Sequence, residues 1–469
     1  MRKVLLYICS VFILGGMTSC EDFLDKREDV GLTEDDIFRD YYSLRGFLDQ
    51  SFNQLENVMV MDNWENGRAF VGLFADEMAT TDNSSAVFTL HSGNWLSNAK
   101  SNKTFEIGNA GSTAISRSYK ALRINNRIIN DIDKAPLTPE QKNEILGQAY
   151  FYRSWFYFQV IKRYGGMPII DKVFEGGDDD IPRMTYHESH DWMMEDIQKA
   201  IYMLPDSWDD PNYGRPTKIA AMALKEWAQL FDASPLMQND LNSTENKGYD
   251  TERAKSAAKS AYEVIRYMDG SKSAPYPYGL ASKEEYTNVF YFKYPPVHQP
   301  EYIWVKRQFP NAANQNQKRT IRTFWQYEDL AFGSGPDGNS MCCPSLNIVN
   351  MFDKKGADGI YYPIDDPRSG YALDYDHKPF EDRDPRFYNN ILLPGTTWGH
   401  YADGRTYYIT TYKGGAAYQH MLTQKDCNKR MFTGFMCKKF MWPECNQYLE
   451  KNNPNCWWDY RFLTIYTVS

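Results

Sequence analysis

TPEQKNEILGQAYFYRSWFYFQVIKRYGGMP, residues 138–168, decides the fold. Thr138 offers a side-chain oxygen to the unpaired amides of a helix start, Pro139 suits the first helical position, and Gly165-Gly166 with Pro168 behind them stop the helix. Between these marks Ile145, Ala149, Tyr152, Phe156 and Val160 step by three or four, the period of one helix face. Upstream, Ile115 to Ile132 carries Tyr119, Leu122, Ile128, Ile129 and Ile132 in the same rhythm and ends at Ala135-Pro136. Two helices joined by a short proline-marked loop make a helical hairpin.

The pattern spreads both ways. Tyr41, Leu44, Leu48, Phe52 and Leu55 predict an earlier helix. Tyr186 to Leu204 aligns Met193, Ile197, Ala200, Ile201 and Leu204, and Thr217 to Phe231 aligns Ala220, Leu224, Ala228 and Phe231. A further start at Thr251 leads through Ala254, Ala257, Ala258, Ala261, Val264, Ile265 and Met268. Alanines allow close backbone approach and aromatics fill the gaps, so the expected fold is mainly α, an α-α superhelix of degenerate tetratricopeptide-type pairs. From about residue 276 onward short segments are broken by Gly, Pro, Asn and Asp, with strands expected at Tyr302 to Lys306 and Arg405 to Tyr412. The expected division is 1–19 export signal, 20–275 helical region and 276–469 loop-rich region with short strands.

The N-terminus fixes location. Arg2 and Lys3 precede an apolar stretch from Val4 to Gly16, too short for a permanent span of about 20 residues. Met17-Thr18-Ser19-Cys20 resembles a lipobox, which makes Cys20 a lipidation site and the first mature residue. Several acyl chains, each buried methylene contributing about 0.8 kcal/mol, anchor stably. Glu21, Asp22 and Asp25 behind it resemble a surface-export signal. The formal net charge of -9, or -11 once Arg2 and Lys3 leave, argues against nucleic acid and other polyanions and for a neutral ligand. Beyond Cys9 and Cys20 the cysteines are Cys342, Cys343, Cys427, Cys437, Cys445 and Cys456; no C-x-x-C pair suggests zinc, and disulfides and buried thiols both stay open.

Six ordered segments resemble the SusD-like (RagB/SusD) family of outer-membrane lipoproteins: SCEDFLD from Ser19, YKALRINNRIIND from Tyr119, GQAYFYRSWFYFQVIKRYGGMPII from Gly147, RPTKIAAMALKEWAQLFDASPL from Arg215, SLNIVNMF from Ser345 and DRDPRFYNNIL from Asp382. Each has a structural reading too: Tyr164 to Pro168 as a helix stop, and Arg383-Asp384-Pro385-Arg386 as a local turn. These motifs therefore read as scaffold. One departure stands out: Tyr460 to Ser469 begins a leucine- and alanine-rich helix of the family and stops, so the chain reads as truncated or divergent there.

The resemblance implies a SusC-like TonB-dependent transporter as partner, an outer-membrane, surface-exposed location, and a ligand enclosed between the two proteins. Sugars present apolar C–H faces ringed by hydroxyls, so their sites pair flat aromatic rings with polar side chains. Among twelve tryptophans, Trp155, Trp192 and Trp227 fall in helical patterns and read as packing, while the loop tryptophans Trp64, Trp95, Trp208, Trp325 and Trp398 are the candidates for ligand contact. Trp95 with Asn94 and Asn98, and Trp325 with Arg322 and Tyr327, lie where the resemblance places ligand contacts. No G-x-S-x-G, H-E-x-x-H or phosphate loop is present, His187-Glu188-Ser189-His190 reads as surface and cap, and the neighbours Asp76 and Glu77 would point apart. The expectation is a binding protein, not an enzyme, without cofactor or metal site; Asp178-Asp179-Asp180 is at most a weak structural calcium site. Glycan capture is the leading function; peptide or protein capture by the same family is the alternative, and a structural surface protein the third.

Overall fold

A computed structural model describes residues 33–55, 75–80, 114–174, 180–238, 248–273, 277–289, 300–305, 342–373, 376, 378–400, 406–415 and 433–438. Cys20 and the start of the mature chain, Trp64, Asp178, Asp179 and Tyr460 to Ser469 lie outside these, as do Cys427, Cys445 and Cys456.

Local sequence builds the helices as expected. Helix α1 (Glu34–Phe38) starts on a Thr33–Asp36 capping box, and α2 (Tyr41–Asn53) is capped by Asp40. Helix α3 (Ala114–Asp131) runs into a short 3-10 turn, Ile132–Lys134. Helix α4 (Pro139–Tyr164) opens on a capping box in which Thr138 Oγ1 accepts from the Gln141 amide while the Gln141 side chain accepts from the Thr138 amide at 3.0 Å. It ends at Gly165, whose φ of 77° suits glycine. Gly166 is needed for a different reason: a Cβ there would sit 2.1 Å from the Met184 carbonyl oxygen. Helix α5 (Tyr186–Met203) has a second capping box, Thr185–Glu188. Helices α6 (Lys218–Ala233) and α7 (Thr251–Gly270) follow; α7 is capped by Asp250, one residue before the expected start.

Consecutive helices pack on one another from α3 to α7, with α2 against α3 and α4. This is the sequential stacking expected of an α-α superhelix. The periodicity assigned α4 one apolar face, yet from Ile145 to Ile161 nearly every residue is buried, Gln148, Arg153, Ser154 and Gln159 included. Helix α4 is the central rod of the stack, packed on all sides. Gly147 lets it approach α5, since an added Cβ would lie 3.1 Å from Met203 Cβ. Trp155 is 3% exposed, and Trp192 and Trp227 pack against the same core, as read from the sequence.

Two expectations are corrected. Residues 302–305 form no strand: Tyr302, Ile303, Trp304 and Val305 are all buried, and Ile303 and Trp304 join the helical core. Trp304 stands edge-on to Phe151 and Trp155, with ring centres 4.9 and 5.0 Å away. A short unbroken apolar run fits a buried segment as well as a strand, and here it plugs the helices instead of pairing. Arg383 to Arg386 is more than a turn, because Asp384 caps a helix, α9 (Pro385–Asn390), with Pro385 in its first turn.

The strands form two-stranded ribbons. β1 (Met78–Thr80) pairs antiparallel with β2 (Cys342–Pro344), which leads into α8 (Leu346–Met351). β3 (Lys354–Lys355) pairs with β4 (Tyr361–Tyr362), β5 (Ile391–Leu392) with β8 (Met436–Cys437), and β6 (Thr397–His400) with β7 (Thr406–Tyr408). β7 occupies part of the strand expected from Arg405 to Tyr412. The β1–β2 pairing and the Trp304 plug both tie the loop-rich region to the helical one, so packing interlocks the two across residue 276.

Candidate functional site

The family-like motifs hold the frame. Arg153, on the buried rod α4, makes a two-pronged ion pair with Asp196 of α5 at 2.5 and 2.8 Å, both side chains no more than 6% exposed. Its third nitrogen donates to Asn126 Oδ1 of α3 at 3.0 Å, and the Asn126 amide in turn donates to the Ile170 and Lys172 carbonyls. Tyr150 and Trp192 flank the guanidinium. Three helices and the segment after the Gly165 stop are thereby fixed to one cation. Arg215 does the same for α2 and the α5–α6 connection, pairing with both oxygens of Asp49 at 2.7 and 2.8 Å and with Gln148 Oε1 at 3.0 Å.

In the loop-rich region Arg383, 1% exposed, donates to the carbonyls of Val349, Phe352, Asp353 and Pro379, closing the C-terminal end of α8. Phe387 packs beneath with Val349, Ile391, Leu393 and Phe435. The hallmark residues are scaffold, as the sequence suggested.

The residues chosen from the sequence as ligand contacts, Asn94, Trp95, Asn98, Arg322, Trp325 and Tyr327, lie outside the described residues. Their points of attachment do not. The register of the β1–β2 ribbon sets Thr80 opposite Cys342 and Met78 opposite Pro344. Residue 81 onward, the segment carrying Trp95, therefore leaves from the end of the ribbon at which the segment carrying Trp325 arrives. The other end is clasped: the Ser345 amide donates to the Glu77 carbonyl at 2.9 Å, the Ser345 hydroxyl donates to the Asp76 carbonyl, and the same hydroxyl caps α8. Asp76 and Glu77 are exposed and meet Ser345 through their backbone carbonyls.

Of the loop tryptophans, Trp208 lines a cleft together with Tyr213, Arg215, Tyr278, Tyr302 and Trp304. The ring ends are already committed: Trp208 Nε1 donates to the Pro216 carbonyl at 2.8 Å, Trp304 Nε1 to Gly214 at 3.1 Å and the Tyr302 hydroxyl to Val289 at 2.7 Å. Burial pushes the Tyr278 and Tyr302 hydroxyls up from their ordinary range, so both stay protonated. The cleft holds about 50 Å³, room for water and well below the roughly 300 Å³ or more of a small-molecule pocket. Trp208 is therefore packing at a seam. Trp304, Tyr213 and Tyr278 were not singled out from the sequence; only the apolar run at Trp304 hinted at burial. Trp398 belongs to β6.

The His187 to His190 segment caps α5 through Glu188, but only part of it is surface. His190 and Ser189 are buried, and His187 Nδ1 lies 2.7 Å from Asp232 Oδ1, where Arg253 also pairs. Residues far apart in sequence thus join the start of α5, the end of α6 and the start of α7. Among the described residues no group of three or more His, Cys, Asp or Glu side chains could hold a metal ion, and Asp180 is exposed.

Comparison with known proteins follows the same geography. Residues 22–226 match a family model described as SusD-like, starch-binding and associating with the outer membrane, and residues 300–462 match the SusD family model. A SusD-like protein of Bacteroides fragilis superposes with a TM-score of 0.60 at 20% identity, covering 88% of this chain and 71% of that one. A SusD-like carbohydrate binding protein of the same species gives 0.57 at 17% identity, with 86% and 68% covered. Surface glycan-binding protein A of Bacteroides fluxus gives 0.52 at 13% identity, with 90% and 72% covered. In sequence, a SusD-like protein of Formosa agariphila is 28% identical over 102 residues, 21% of this chain and 20% of that protein's own length. With both family models matched in chain order and the mainly helical stack shared with these structures, the chain belongs to the SusD/RagB family.

Proposed function

We propose that this protein is a lipid-anchored cell-surface lipoprotein that captures an oligo- or polysaccharide and passes it to a SusC-like TonB-dependent transporter. The observation that carries the site is the Thr80–Cys342 register: it roots two aromatic-bearing segments side by side, as a site built from both requires. Trp95 and Trp325 then supply flat faces for the sugar's C–H surface, and Asn94, Asn98, Arg322 and Tyr327 its hydroxyl partners. The acidic net charge of -9 suits a neutral ligand. The role is binding without chemistry.

Truncating Trp95 or Trp325 to alanine is expected to weaken glycan binding by about 1–3 kcal/mol while leaving the fold nearly unchanged. Buried packing residues would behave oppositely, losing about 3–5 kcal/mol of stability, with affinity changed only through unfolding. Glycan affinity and unfolding free energy measured on each variant separate the two. An unchanged affinity with a large stability loss removes that tryptophan from the site.

None of the described helices is long and apolar enough to cross a membrane, and attachment is assigned to the acyl chains on Cys20. Cys20→Ala should release the protein from the outer-membrane fraction. Fractionation of cells lacking the transporter partner tests this, and continued membrane partitioning there would show that the anchor lies elsewhere.

A further inference from the structure

We infer that the outer face of α7 is a dimer interface, on which a second copy of this chain packs antiparallel about a two-fold axis through Tyr262. The inner face of α7 is committed to α6. Ala257, Ser260 and Val264 are buried there, the Ser260 hydroxyl donates to Gln229 Oε1, Lys225 pairs with Glu263 at 3.4 Å and Arg253 with Asp232. On the nearly opposite side Lys255, Ala258, Tyr262, Ile265 and Asp269 step by three and four, the rhythm with which one helix seats against another, and all five are exposed. Tyr262 is 61% exposed and Ile265 44%, so the middle of this seam leaves an aromatic ring and a branched apolar side chain in water.

The charges select the occupant. Lys255 and Asp269 stand seven residues either side of Tyr262, and Glu252 and Lys272 stand ten either side. A second α7 laid antiparallel about Tyr262 therefore sets Lys255 opposite Asp269 and Glu252 opposite Lys272, and the two-fold axis repeats both pairs. Within one chain these side chains already form exposed pairs, Glu252 with Lys255 at 2.8 Å and Asp269 with Lys272 at 2.9 Å, so dimerisation brings one such pair against the other at each end. The remaining cations on this side, Lys259 and Arg266, fall opposite Ile265 and Ala258, where their aliphatic stems cover apolar surface. A parallel pair would instead set Lys255 against Lys255 and Asp269 against Asp269. The two Tyr262 rings meet at the axis. The 20 residues of α7 span about 30 Å, and a single helix pair of that length lies at the low end of stable interfaces, so the dimer is weak and sensitive to concentration and salt. The inference stands on this face alone and is independent of what the protein binds.

The test is sedimentation velocity of the full chain, produced without a transporter partner and held in density-matched detergent, over a series of concentrations. The expected result is a reversible monomer–dimer equilibrium that shifts toward monomer as salt rises. Lys255→Glu and Asp269→Lys should each weaken dimerisation about fivefold or more, since each sets like charges together at two symmetric positions. The double variant restores opposite charges across the axis and should recover the dimer. A second measurement reads the register directly. Tyr262→Cys treated with a short bismaleimide should yield a peptide pair joined through position 262 of both chains, whereas Tyr202→Cys on α5, where the native residue is 84% exposed, should yield none through position 202. A chain that stays monomeric at every concentration, a dimer that both charge reversals leave unchanged, or a double variant no better than the single ones overturns the assignment.

Discussion

Asp196→Ala should lower the unfolding free energy by about 3–5 kcal/mol, because it strands the Arg153 guanidinium inside the helical stack. The Asp196 carboxylate is 2% exposed and accepts two of the arginine's hydrogen bonds; Lys199, 3.6 Å away at the surface, can turn to water and loses little. The remaining partner, Asn126 Oδ1, is neutral and cannot compensate a full charge. Replacing both charges together, Arg153→Met with Asp196→Leu, should cost far less than the single change, since a buried pair exchanged for apolar side chains of similar volume is often neutral. Chemical denaturation of the three variants checks this. A single-variant loss under about 1 kcal/mol would mean that water reaches the pair, and the rigid three-helix node described here would be wrong.

Arg383→Met should be comparably damaging in the loop-rich region, with a loss of about 3 kcal/mol or more. Its fork is a donor to Val349, Phe352, Asp353 and Pro379, and each buried carbonyl left without a donor costs about 1–3 kcal/mol. Arg383→Lys should rescue only in part, since an ammonium cannot reproduce the planar geometry that reaches both Val349 and Phe352. Hydrogen exchange locates the effect: protection should fall in residues 346–352 and 385–393 and persist along α4. Equal loss along α4 would make the arginine part of one global core.

What could be read from the sequence follows from how local its cause is. Thr138, Pro139 and Gly165 act within a turn of their own position, so both ends of α4 were legible. So was the scaffold character of the motifs that hold Arg153, Arg215 and Arg383. Asp250 was missed as a cap because Thr251 beside it is an equally plausible one. Trp304 was misread since a run of four apolar residues carries no period, and what decides its fate is the groove left by Phe151 and Trp155. Contacts that span the chain were beyond reach: His187 meets Asp232 from 45 residues away, and Ser345 clasps Asp76 from 269 away. No propensity encodes those pairings, which arise only after the helices stack.

For the candidate site, the sequence supplied residue types and the fold supplies adjacency. Sequence marks Trp95 and Trp325 as loop aromatics of a family with surface ligands; that their segments spring from one end of one ribbon is set by the β1–β2 register. The loop tryptophan that the structure does describe, Trp208, turned out to be packing, so a position between helices is not by itself a sign of ligand contact.

The central claim is capture of a glycan, and calorimetric titration of the detergent-solubilised full chain against matched panels of neutral oligosaccharides and peptides tests it most directly. The account predicts saturable binding to at least one oligosaccharide, weakened by Trp95→Ala and by Trp325→Ala, with no heat from the peptides. Saturable binding confined to peptides, or oligosaccharide binding that both variants retain in full, would contradict it.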